Sequence, residues 1–169
     1  MNKHKVKQIT SIVESLWGEH SLIPGFDVGE LITSLGIEYK VMKFKDKISG
    51  LFIIHEDKKF ICVNEAESFE RQRFSAGHEV GHYYLHKTNP LSVFKSEIIF
   101  YRNEDSKMGS VREEIEANYF SACLLMPAFL IEKEISFDIS IDENIKNLAP
   151  KYKVSSSAMA IRLNALGFF

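Results

Sequence analysis

The sequence predicts an α+β protein: a small three-stranded antiparallel sheet packed on a helical bundle. Two observations lead there. Segments rich in β-branched and aromatic residues are gathered in one stretch, residues 37–64, while apolar residues recur at helical spacing on both sides of it. One flanking helix also carries, mid-chain, the motif "HEVGHYYLH" (78–86), a polar pattern set inside an apolar run. The 169 residues suggest one domain over 1–169, closed by a helical pair at about 141–169. With 45% hydrophobic and 26% charged residues, the chain can bury a core and lies outside the disordered class.

The opening "MNKHKVKQITSIVESLWGEH" places Val6, Ile9, Ile12, Val13, Leu16 and Trp17 on one helical face. It has no uninterrupted apolar stretch and no small-residue cleavage site, so it reads as an amphipathic helix, not a signal peptide. In "IPGFDVGELITSLGIEY", Asp27 and Glu30 resemble a capping box and Gly36 marks the stop. Strands are expected at 37–44, 48–55 and 60–64, the last two joined through the polar "EDKK". A long helix follows over about Glu67–Lys87. Residues 88–111 read as irregular, with an apolar patch "EIIFY" and a polar loop "RNEDSKMGS". The helix "VREEIEANYFSACLLM" then runs to Pro127, and the tail forms two short helices broken at "KVSS".

The net charge of −2 and a pI near 6.3 argue against nucleic acid or an anionic membrane as partner. No apolar run reaches spanning length. Cys62 and Cys123 stand apart with no CxxC pairing, as buried thiols of a reducing compartment do, and a cytoplasmic location is expected.

His78 and His82, four residues apart, project from one helical face, where two imidazole nitrogens can hold one zinc ion. Glu79 can then act on a water at that ion. Histidines at a helix surface are the plain alternative. Val80 and Tyr84 make the setting apolar, however, and Gly81 leaves room for another element to come close, so two buried rings need a partner. A catalytic zinc takes three protein ligands and keeps one position open. Glu113, Glu114 and Glu116 on the next long helix are the acidic candidates. Glu114 shares a small, slightly polar stripe with Ala117, Asn118, Ser121 and Leu125; Glu113 shares one with Ala117, Phe120 and Leu124. Periodicity leaves both open, while Glu116, beside Phe120 and Cys123, is the least suited. Only one needs to be special, and the others are expected to be solvated surface. Asn118, one turn after Glu114, is placed to accept the second N–H of a metal-bound histidine. His86, one turn past His82, is expected to support the site from behind or to cap the helix end. For an oxyanion donor it is better placed than Tyr83, which lies on the far side from His82, but the sequence leaves that role unassigned.

"RFSAGHEVGHYYLH" followed by "EEIEANYFSACLLMP" resembles the ImmA/IrrE family of zinc metallopeptidases, whose pattern joins HExxH on one helix to ExxANxFAxxLLMP on the next. The likeness extends more loosely to "FICVN" and to "KVSSSAMAIRLNALG". It puts the family's zinc ligands on His78, His82 and Glu114, one ion per chain, and its catalytic glutamate on Glu79, so that Glu114 is preferred over Glu113. Ser121, where alanine is usual, is the one small departure. The resemblance implies a compact zincin-like fold and limited proteolysis of regulatory proteins, typically helix-turn-helix repressors of mobile elements or stress regulons. The expected partner is thus such a repressor, cut once in or beside its linker. A different class of function is a zinc-stabilised binding module that sequesters a repressor without cleaving it; Glu79, which a purely structural site does not need, favours the enzyme. The tail could also be read as a DNA-binding helix-turn-helix. Its Lys146, Lys151, Lys153 and Arg162 stand against Asp142 and Glu143, a surplus too thin for gripping phosphates, and direct DNA binding is not expected.

Overall fold

The structure, a computed structural model, describes residues 1–44, 48–55, 58–86 and 104–169, with side chains from residue 111 onward in the last span. Seven helices and three strands follow in the order α1 (Lys3–Glu19), α2 (Val28–Ser34), β1 (Glu38–Met42), β2 (Gly50–His55), β3 (Lys58–Asn64), α3 (Phe69–Leu85), α4 (Glu104–Leu125), α5 (Ala128–Glu134), α6 (Ile141–Tyr152) and α7 (Ser156–Ala165). The class is α+β, as the sequence predicts.

The sheet differs in one pairing from the antiparallel arrangement expected. The strand order is β1-β3-β2, with β2 antiparallel to β3 but β1 parallel to it. The physical reason lies in the connections. β2 and β3 are separated by only two residues and close as a hairpin, whereas β1 and β2 are seven residues apart, too far for a tight turn. That longer link leaves a gap one strand wide, roughly 10 Å, into which β3 returns alongside β1. β3, as the central strand, buries Ile61, Cys62, Val63 and Asn64.

Helix ends are set by local chemistry. Asn2 caps α1 through the Lys5 N–H at 2.8 Å, and Asp27 caps α2 through Gly29 and Glu30 at 2.7 and 3.2 Å. The reciprocal capping box occurs instead at Ser140 and Glu143, opening α6. Two helical features were not expected. α4 begins at Glu104, so the polar stretch read as a loop is helical from there; a 22-residue helix tolerates one glycine at about 1 kcal/mol. Pro127 does stop α4, but its fixed φ of −67° also starts α5, which seats Ile131 in the core. The patch "EIIFY" and the first two residues of "EDKK" lie outside the described residues.

One hydrophobic cluster joins Ile9, Val13, Leu16 and Trp17 of α1 to Ile61 and Val63 of β3, Val80 of α3, Phe120 and Leu124 of α4, and Leu148, Tyr152, Met159 and Leu163 of α6 and α7. Trp17 packs edge-on against Phe26 and Phe129, and its indole N–H donates to the Leu124 carbonyl at 3.0 Å, so its polar atom is satisfied where it is buried. In the tail, Arg162 is buried and donates to the Met126 carbonyl at 2.9 Å, while Lys151 pairs with Glu134 at 2.8 Å. Two of the four positive charges there are thus already committed within the protein. Among the described residues no single helix is long and apolar enough to cross a membrane.

Candidate metal centre

The site forms where α3 and α4 cross, and small residues bring them together. A Cβ on Gly81 would stand 3.1 Å from the Ala117 Cα and 3.1 Å from the Phe120 Cβ; one on Gly77 would stand 2.7 Å from the Ser121 hydroxyl. Ser121 uses that hydroxyl to donate to the Phe74 carbonyl at 2.8 Å, fastening α4 to α3 one turn from the histidines. Tyr84 stacks on Phe120 at 5.9 Å and shields the far side of the crossing.

Held at this distance, three side chains converge. The Nε2 atoms of His78 and His82 lie 2.9 Å apart, and the Glu114 carboxylate spans them, Oε2 at 3.0 Å from His78 and Oε1 at 3.2 Å from His82. Ligand atoms around a tetrahedral ion with bonds of ~2.1 Å stand roughly 3.4 Å apart, a few tenths of an ångström wider than this spacing. Each outer nitrogen has its own partner: His78 Nδ1 lies 3.0 Å from Asn118 Oδ1, and His82 Nδ1 lies 3.0 Å from His86 Nδ1. Asn118 Oδ1 can only accept, so His78 carries its hydrogen on Nδ1 and turns a lone pair inward. With His82 in the same form, two lone pairs and a carboxylate converge on one point, a set of acceptors suited to a cation, and in its absence a proton shared between the rings and Glu114 takes that place. The residues fit a divalent metal. Among the described residues, this is the cluster of histidine and carboxylate ligands able to hold one.

In the absence of a cation, a proton competes for the same lone pairs. Burial lowers the basicity of His78, but its hydrogen bond to Glu114 and the charges of Glu79 and Glu114 outweigh burial and raise its pKa. Glu114 shifts the other way: burial opposes its ionisation, yet hydrogen bonds from His78 and His82 hold it far below the usual carboxylate range. Its side chain is 50% exposed, so the group opens toward solvent on that side. Glu79 is buried beneath β2, where a Cβ on Gly50 would stand 3.1 Å from its Oε1. Burial, with the charge of Glu114, raises its pKa, against the pull of the two histidines and the Phe52 backbone N–H.

Among the described residues β2 is an edge strand, and it borders the site. Asn64 N–H bonds the Ser49 carbonyl at 3.1 Å, so in this antiparallel register Gly50, Phe52 and Ile54 turn their backbone groups away from β3, toward Glu79.

The sequence-predicted residues therefore sit together: His78, His82 and Glu114 converge, Glu79 lies next to them, and Asn118 and His86 stand behind the two rings. Glu113 takes no part and is half-buried. Glu116 corrects the expectation of a solvated surface residue. It is 4% exposed and holds His86 Nε2 at 3.2 Å, Lys5 Nζ at 3.3 Å and Arg112 Nε at 2.9 Å. Both ring nitrogens of His86 are thus committed inside the protein, which removes it as an oxyanion donor. The signal was present in the sequence. A glutamate on the same stripe as Phe120 and Cys123 must be buried, and a buried carboxylate needs partners.

Residues 32–164 match the model of the peptidase M78 family, described as the IrrE N-terminal-like domain. Immunity region protein 2 of Bacillus phage phi105, itself uncharacterised, is 23% identical over 114 residues, 68% of this chain and 67% of its own. Among solved structures, a transcriptional regulator of Mycobacterium tuberculosis shares the fold with a TM-score of 0.65 at 16% identity. The match takes in 93% of this chain but 46% of the regulator, so this chain spans less than half of that longer protein.

Proposed function

We propose, from the premise that this chain belongs to the peptidase M78 family, that it is a zinc-dependent endopeptidase making limited cuts in a regulatory protein, a helix-turn-helix repressor. The observation that carries the reading is the convergence of two histidine nitrogens and one carboxylate beside a buried second carboxylate, Glu79. His78, His82 and Glu114 would hold the ion, one per chain. A zinc ion there supplies Lewis acidity toward a peptide carbonyl and lowers the pKa of water.

The chain's own groups do the rest. Glu79 takes a proton from the attacking water and returns it to the departing amine; its raised pKa brings it nearer the working range of a general base. The Phe52 N–H steadies that carboxylate, and Gly50 lets the strand lie against it. Among the described residues, the outer edge of β2 offers backbone groups at Gly50 and Ile54 to an extended segment, which could add as a further strand. An interdomain linker can adopt that form without unfolding, whereas a folded domain cannot. This favours a few cuts at exposed linkers over general digestion. The phage relative's place in an immunity region and the regulator sharing the fold support a repressor as substrate.

The test is to mix the zinc-loaded protein with the repressor encoded beside it, and separately with casein, and to follow both by mass spectrometry. A single linker cut, abolished by a chelator and reduced about 10²- to 10⁴-fold in Glu79→Gln with metal retained, is the expected result. Casein degraded with the repressor intact overturns the substrate assignment. Tight binding without cleavage replaces the peptidase with a sequestering module.

A further inference from the structure

The two histidines of the cluster are supported very differently. His78 leans on one side-chain amide, that of Asn118, at 3.0 Å. Behind His82 runs a chain of groups: His82 Nδ1 to His86 Nδ1 at 3.0 Å, His86 Nε2 to Glu116 Oε2 at 3.2 Å, then Lys5 of α1 at 3.3 Å and Arg112 of α4 at 2.9 Å. Hydrogen positions along this chain follow from its far end. Glu116 is an acceptor at that end: its carboxylate is paired with two cations, Arg112 at 2.9 Å and Lys5 at 3.3 Å. A carboxylate only accepts, so His86 presents N–H at Nε2 and, as a neutral ring, a lone pair at Nδ1. His82 must then donate from its own Nδ1, which leaves its Nε2 lone pair aimed at His78 and Glu114. A charge on α4 thereby dictates the tautomer of a residue on α3.

We propose that Glu116, clamped by Lys5 and Arg112, is a positioning residue that acts through His86 to fix His82 in its metal-binding form, and that Lys5 ties α1 into this arrangement. The inference rests on the metal-site reading above and extends it to two positions, Lys5 and Glu116, that touch no ligand directly. Its physical basis is general. A metal-bound imidazole whose outer N–H is anchored by an acceptor keeps its orientation, and loss of such an anchor costs roughly ten- to hundredfold in metal affinity. Here the anchor is relayed across one further ring, and its charge is balanced within the fold. Lys5 lies outside residues 32–164, so the clamp draws on a part of the chain that the family match does not include.

Two measurements on the full chain test this. The first is the ring ¹⁵N–¹H spectrum of the metal-free protein, which reports each histidine's tautomer without any metal or activity. The second is zinc affinity by competition with a chromophoric chelator. Wild type should show His82 protonated at Nδ1 and His86 at Nε2. Glu116→Leu should lose that pattern at His82 and bind zinc roughly ten- to hundredfold more weakly. Glu116→Gln, which keeps an oxygen acceptor, should stay within a few-fold of wild type. His86→Leu should match Glu116→Leu, and the double variant should be no worse than either, because both cut the same chain. Lys5→Met should weaken binding several-fold. Should Glu116→Leu fail to fold, the Gln and His86 variants still decide. Unchanged affinity in His86→Leu, or losses that simply add in the double variant, would overturn the relay. A wild type with His82 protonated at Nε2 would also overturn it, even if zinc binds. If wild type binds no zinc but shows the expected tautomers, the metal reading fails and the positioning stands.

Discussion

α3 buries polar side chains at two places, and the two solve the same problem in opposite ways. Near its start, Arg73 is 4% exposed and donates to three backbone carbonyls: Phe26 of the loop before α2, Tyr152 at the end of α6, and Lys153 just beyond it. Lys153 adopts the left-handed conformation, φ 50°, that ends α6, and the guanidinium caps the carbonyls left over there. Each of its three nitrogens donates to a backbone carbonyl, and the charge rests against those dipoles. Burial lowers the Arg73 pKa, but the shift leaves a group that stays charged. Two turns on, His78 and His82 bring acceptors to acceptors. Their outer nitrogens have partners outside the cluster, while the inner ones face only each other and Glu114, three groups that are all acceptors once the rings are neutral. A saturated cluster of buried polar groups holds a fold together, whereas one short of a positive charge is a site. The difference lies in the balance of donors and acceptors, not in burial or distance.

The contrast is broken most severely at its closed end. Arg73→Met should lower unfolding free energy by about 3–5 kcal/mol, since carbonyls from two elements lose their donor at once. Thermal melts should show the same loss with and without zinc; a loss confined to the zinc-loaded form would mean that Arg73 serves the site. At the open end, Glu114→Ala should weaken zinc binding by more than about a hundredfold, beyond the effect typical of supporting residues, while metal-free stability changes by no more than about 0.5 kcal/mol. A large drop in metal-free stability would show that the cluster holds the fold as Arg73 does. Gly81→Ala should sharpen the link between the two regions. The added methyl meets backbone at 3.1 Å and must push α4 away, costing about 1–3 kcal/mol and weakening metal binding together, as melts and chelator competition would reveal. Smallest of all, Glu113→Ala should leave stability within about 0.5 kcal/mol and zinc affinity unchanged by the same measurements.

Much of the site was legible before any coordinates. The spacing of His78 and His82 dictates a shared helical face, and Ala117, Ser121 and Gly81 mark small surfaces suited to a close crossing. A strand in isolation, by contrast, does not say which neighbour it will choose. The parallel pairing of β1 with β3 depends on the seven-residue link that lets β3 fall between its predecessors. α5 was hidden because Pro127 reads as a stop, and only the core that takes in Ile131 makes it a start as well.

What the sequence determined by itself is whatever depends on a few adjacent residues: the helical faces, the cap at Asp27, the stop at Pro127, and the ligand-bearing types at fixed spacing. Local chemistry suffices there, because the partners lie within one or two turns. Periodicity left Glu113 and Glu114 open, and the family resemblance preferred Glu114; tertiary structure alone decided that Glu116 is buried behind the histidines and that Lys5, 111 positions from Glu116, closes the chain of charges. Periodicity assigns a residue to a face of its helix but cannot say what packs there. For a carboxylate, the group opposite, whether lone pair, N–H or water, settles whether it binds a metal, steadies a ring or stays in solvent.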